Sequence, residues 1–178
     1  MTVVQILAGL AGLALAVASY RLGREASRPV VGPRLIVSLA GAALAVGLLI
    51  QLVPYGRAHT NPPMIGEPAW DSPETRTLAQ RACFDCHSNE VVWPWYSNIA
   101  PVSWLVQSDV DGGRHALNLS EYTVPQRRAR DAAETVREGS MPPLQYTVAH
   151  PDARLSATEQ DQFAAGLAAT LGEGRGGG

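Results

Sequence analysis

The chain has 178 residues, 46% of them hydrophobic and 17% charged, with a formal net charge of -2 and no lysine. That length holds one ordinary domain, or a smaller domain with membrane segments. No basic footprint is present, so no nucleic-acid partner is expected.

In chain order, residues 3–20 and 35–54 carry no charge at all. At ~1.5 Å per residue each run approaches the ~30 Å of a bilayer core, so both are predicted as membrane-spanning helices. Between them lie Arg21, Arg24, Arg28 and Arg34 against the single acid Glu25. A short loop this basic stays in the cytoplasm. Residues 1–54 are therefore read as a helical hairpin in the cytoplasmic membrane, contacting lipid, with everything after Pro54 on the extracytoplasmic, periplasmic side. Ala8, Gly12 and Ala16, and Gly41 and Ala45, are spaced for close helix contact. Two alternatives exist. Residues 1–18 resemble a cleaved signal peptide at Ala16-Val17-Ala18 but lack a positive start. The second helix alone, with its arginines, would be a signal anchor, which also leaves the downstream part outside.

Residues 55–72 are proline-rich and read as a tether, either extended or wrapped on the domain through Met64 and Trp70. The following domain, 73–172, is predicted as helical. Ser72, Pro73 and Glu74 open a helix that runs into Cys83. A further helix covers about 102–111, and a mostly exposed one runs from Val124 to Gly139. Ser156 and Glu159 form a capping box before a helix whose Phe163, Leu167 and Leu171 share one face. Residues 173–178 are predicted as a disordered tail. Large aliphatic residues are few in this domain, and a bound apolar cofactor would supply missing core.

Cys83-Phe84-Asp85-Cys86-His87 contains the only two cysteines and fits C-x-x-C-H, the pattern of covalent c-type haem attachment. Cysteines three apart on a helical turn can meet the two vinyl groups of one porphyrin edge, and the adjacent histidine can reach the iron. Structural zinc would need further ligands, and no second cysteine pair exists. A thioredoxin-like disulfide needs a βαβ context, which is absent. For the sixth iron ligand, Met141 stands in a loop bounded by Gly139, Pro142 and Pro143, with His150, His115 and Met64 as alternatives. Trp93, Trp95, Tyr96 and Trp104 follow the motif and are expected as core that walls the haem. Pro94 or Pro101 is expected to offer a carbonyl to the second imidazole nitrogen.

The stretches "CFDCHSNEVVWPWYSNIAPVSW", "LNLSEY" and "EGSMPPLQYTVAHP" resemble the bacterial haem-binding domain family of membrane-anchored monohaem c-type proteins, over roughly residues 60–170. The resemblance implies an all-α fold, here an N-terminal transmembrane hairpin plus a small cytochrome-c-like haem domain. It implies one covalent haem c held by Cys83, Cys86 and His87, with Met141 in the MPP motif as distal ligand. Many members have one anchoring segment, so two would be a departure. The expected function is one-electron transfer, not enzyme catalysis, with a redox protein or a respiratory or photosynthetic membrane complex as partner. A haem peroxidase or a redox or gas sensor is the alternative. From residue 55 onward, 15 acidic residues face 10 arginines, a balance that would steer a basic carrier or simply keep the domain soluble.

Overall fold

The computed structural model describes residues 17–18, 32–123, 126 and 128–172. Seven α-helices and three short 3-10 turns make up the regular structure among the described residues, with one isolated β-bridge between Gly66 and Glu121. The chain divides into two units, Met1–Val53 and Pro54–Gly178. The predicted tail, 173–178, lies outside the described residues.

In the first unit, α1 (Pro33–Ile50) starts with proline at its first position after Gly32. It ends at Gln51, whose side-chain amide donates to the Gly47 carbonyl at 3.0 Å. Ile36, Val37, Leu44, Leu48 and Leu49 are all exposed. Among the described residues no helix is long and apolar enough to cross a membrane. This bears only on the second of the two expected spans. The first span, like most of the arginine loop, lies outside the described residues except for Val17 and Ala18. The second, expected over 35–54, is shortened at its C-terminal end. Pro33 and Arg34 occupy the first turn and the chain leaves the helix at Gln51, so the apolar part rises only ~24 Å.

The second unit follows the helical prediction closely where capping signals exist. Helix α2 (Pro73–Ala82) opens with Ser72 Oγ accepting from the Thr75 amide at 3.1 Å. A four-residue turn, α3 (Phe84–His87), follows directly. Helix α4 (Val102–Ala116) outruns its predicted end at 111. The segment predicted as one helix from Val124 to Gly139 contains a 3-10 turn, Ala129–Asp131, and then α5 (Ala132–Arg137). Ala129, Ala133 and Val136 are buried there, so it faces the core more than its polar sequence suggests. Helix α6 (Leu144–Ala149), six residues started by Pro143, has no counterpart among the predicted elements. Helix α7 (Ala157–Leu171) carries the predicted capping box, and Phe163, Leu167 and Leu171 are buried.

The core forms where α7 meets α2 and α5. Phe163, Ala164 and Leu167 pack among Ala79, Ala133 and Val136. Small residues let these helices approach: a Cβ added to Gly166 would collide with the Thr75 side chain. Residues 55–72 wrap this unit. Ser103 Oγ donates to the Tyr55 carbonyl at 3.4 Å, and the Asn61 amide donates to the Val91 carbonyl at 2.9 Å. The Ile65 and Gly66 amides both reach the Ser120 carbonyl, at 2.8 and 3.1 Å. Glu67 pairs with Arg76 at 2.5 Å and accepts from the Trp70 indole at 2.6 Å.

Replacing Phe163, 0% exposed, with alanine is expected to remove about 3–5 kcal/mol of stability, read from urea unfolding. Glu159 is held down to about 2 by the Ser156 backbone amide, by Arg81 and by the Ser156 hydroxyl. Its contribution is complete above the ordinary carboxylate range and is lost as pH falls toward that value. Ser156→Ala is therefore expected to shrink the stability difference between about pH 5 and about pH 2.5 in the same assay.

Candidate functional site

The site begins where α2 ends. The Cys83 amide still donates to the Ala79 carbonyl at 2.8 Å, and the Cys86 and His87 amides both return to the Cys83 carbonyl, at 3.1 and 2.8 Å. Residues 83–87 are thus one helical turn, which sets the two cysteines on the same side. They are free thiols, with no disulfide between them. Burial pushes Cys83 up to about 12; burial, with the charges of Asp109 and Asp85, pushes Cys86 up to about 11. Both are protonated at neutral pH.

His87 is oriented from below. Its Nδ1 lies 3.0 Å from the Leu117 carbonyl, which can only accept, so the proton sits on Nδ1 and Nε2 keeps its lone pair. Burial lowers the imidazole pKa, opposed by hydrogen bonds to the Leu117 and Gly113 carbonyls. A neutral ring with a defined tautomer is the form that binds metal.

The segment bearing Leu117 is itself locked to the motif. The Leu119 amide donates to the His87 carbonyl at 2.7 Å, and the Asn89 amide donates to Ser120 Oγ at 2.9 Å. Asn118 Nδ2 donates to Asn89 Oδ1 at 3.0 Å, and the Arg114 guanidinium donates to the Ser88 carbonyl at 2.8 Å. Helix α4 backs the turn so closely that a Cβ on Gly113 would collide with the Cys86 carbonyl oxygen and stand 2.8 Å from its carbon.

Above this turn lies a cavity lined by Cys83, Cys86 and His87. Leu119, Val136 and Leu167 make its walls mainly apolar, and Met141 lines it as well. Met141 is 39% exposed and is set by its loop. The Thr135 carbonyl accepts from both the Ser140 and Met141 amides at 3.0 Å, after Gly139 has reversed the chain at φ +71°. Tyr146 completes this side. Its hydroxyl donates to Asp85 at 2.7 Å, and Asp85 also accepts from the Val92 amide at 3.0 Å. Burial and then Asp85 push the Tyr146 phenol well above its ordinary value, so it keeps its proton.

The structure therefore brings Cys83, Cys86, His87 and Met141 to one cavity. His150, His115 and Met64 do not line it. His150 Nε2 is 2.7 Å from the Tyr96 hydroxyl, and its ring stacks on Tyr146 at 4.4 Å. His115 lines a separate polar cavity. The expected aromatic wall is corrected: Trp93, Trp95, Tyr96 and Trp104 do not line the cavity. Trp93 stacks on His59 at 4.8 Å, and Trp95 is 76% exposed. Tyr96 lines a smaller space with Asp85, Tyr146 and His150 instead. The imidazole partner is likewise the Leu117 carbonyl, not that of Pro94 or Pro101. No sequence signal marks that carbonyl, because every residue offers one; Asp85 and Tyr146 are equally silent, being 61 positions apart. Among the described residues no group of three or more His, Cys, Asp or Glu side chains is arranged to hold a metal ion by itself.

A helical unit enclosing an apolar cavity, with one neutral imidazole presented to it, defines a binder of a flat apolar cofactor. The haem-binding domain family model matches residues 45–169, and the chain belongs to that family; its cofactor is haem. Neither the curated proteins nor the solved structures contain a match. The residues present fit haem. The walls are apolar, and His87 has its second nitrogen satisfied, leaving Nε2 for iron.

Gly113→Ala is expected to cost about 1–3 kcal/mol, since the colliding atoms are backbone. Haem retention, read as the ratio of Soret to protein absorbance, is expected to fall with it.

Proposed function

We propose that this chain is a membrane-attached monohaem c-type cytochrome that passes single electrons at the outer face of the cytoplasmic membrane, as a subunit or partner of a respiratory or photosynthetic complex. The observation that carries this reading is the shared cavity of Cys83, Cys86, His87 and Met141. Bound haem supplies a one-electron iron couple. Cys83 and Cys86 would hold bound haem through thioethers, and His87 Nε2 and the Met141 sulfur would ligate its iron.

The remaining residues tune this site. The Leu117 carbonyl keeps the imidazole in the binding tautomer and raises its basicity. Leu119, Val136 and Leu167 keep water away from the metal position, and a methionine ligand raises the reduction potential. With both His87 and Met141 given to the iron, electron transfer would be favoured over peroxide or oxygen chemistry. Attachment to a membrane is supported by the apolar surface along α1 and by the uncharged run 3–20, and a cytoplasmic side for the sequence between them by Arg21, Arg24 and Arg28. The acidic balance from residue 55 onward suits a basic redox partner.

Optical spectroscopy tests the ligand set. Wild-type haem protein is expected to show a sulfur-to-iron charge-transfer band that Met141→Ala abolishes and His150→Ala leaves in place. A band unchanged in Met141→Ala, or lost in His150→Ala, would sink the Met141 assignment. Haem is expected to stay with the wild-type polypeptide in acidified acetone and to be extracted from Cys83→Ser/Cys86→Ser. Rapid carbon monoxide binding by the reduced wild type would favour a peroxidase or sensor.

A further inference from the structure

Haem carries two propionate carboxylates, and ionised carboxylates cannot be left unpaired against apolar walls. The cavity must therefore offer them either a cation or an outlet, and the structure supplies both at one place. Among the described residues, Arg128 is the one guanidinium that lines the cavity. The same side chain also lines the neighbouring polar cavity, together with Gly112, His115, Ala116 and Gln126. Ala116 is the other residue common to both, so the two spaces adjoin at Ala116 and Arg128.

Arg128 has its hydrogen-bonding capacity in hand. Three ion pairs form among the described residues, and none uses Arg128. Asp131, three residues on, lines the haem cavity too, yet the two are not paired. In the polar cavity Gln126 is committed elsewhere: its Oε1 accepts from the Asn118 amide at 2.7 Å, and its Nε2 donates to the Asn118 carbonyl at 2.8 Å. That grip fixes the backbone from which Arg128 projects, because the Ala129 amide in turn donates to the Gln126 carbonyl at 3.0 Å. His115, exposed in the last turn of α4, is the second side chain there with a ring nitrogen to offer. A guanidinium presents a planar fork that matches a carboxylate with two parallel hydrogen bonds.

We propose that Arg128, with His115 beside it, forms the carboxylate subsite that receives the haem propionates. The inference rests on haem occupying the larger cavity, and it assigns the orientation of the group within it. Arg128 acts as a positioning residue, and its charge also favours the reduced state, which carries one more electron.

Three variants of the haem-loaded protein test this, each read by redox titration and by the resonance Raman band of propionate bending. Arg128→Gln is expected to lower the midpoint potential and shift the propionate band. Arg128→Lys keeps the charge but not the fork, so it should hold the potential near wild type and still shift the band. Arg130→Gln removes the same charge two residues away, from a side chain that lines neither cavity, and should leave the band in place. A propionate band unmoved in both Arg128 variants, or moved as far in Arg130→Gln, would overturn the subsite. Wild type with no haem signal at all would overturn the occupancy of the cavity, a failure plainly distinct from the first.

Discussion

The hydrogen bond between His87 Nδ1 and the Leu117 carbonyl is the constraint on which the rest of the site depends. An imidazole on a four-residue turn has freedom to rotate, and its tautomer is otherwise undetermined. A backbone carbonyl removes both freedoms, because it accepts only and because its position is fixed by the fold. Residues 117–120 are in turn pinned to 87–89 by the Leu119 amide on the His87 carbonyl and by the buried Asn89, Asn118 and Ser120 side chains. Such a network is stabilising only when complete, and here each member meets a partner.

The Met141 side of the cavity is organised differently. Met141 sits on a loop whose shape comes from backbone alone, with Thr135 capping the end of α5 and Gly139 reversing the chain. What ties that loop to the cysteine turn is the Tyr146 hydroxyl on Asp85. One residue between the two cysteines thus reaches the element that follows Met141. Both sides of the cavity are linked through the motif itself, and this keeps the imidazole and the thioether at one cavity.

Local chemistry was legible in the sequence, and long-range pairing was not. Ser72 with Pro73, and Ser156 with Glu159, announce their helices because capping acts within one turn. The C-x-x-C-H turn is legible for the same reason. Which of Met141 and His150 lines the cavity is open in the sequence, since His150 meets Tyr96 across 54 positions. The tryptophans after the motif mislead because abundance says nothing about which side of a turn a ring takes; Trp93 prefers His59. Residues 55–72 read equally well as tether or wrap until the Gly66–Glu121 bridge and the Ser103–Tyr55 contact decide in favour of wrapping. The apolar run 35–54 exceeds the helix it forms because Pro54 and the turn at Gln51 are backbone events that hydropathy does not register.

The central claim is that one imidazole and one thioether from this chain meet at the same iron. X-ray absorption at the iron edge of the purified haem protein tests it most directly. A first shell of about five nitrogen scatterers and one sulfur is expected, with the sulfur lost in Met141→Ala. A shell of six nitrogens, or a five-coordinate iron in the wild type, would contradict it.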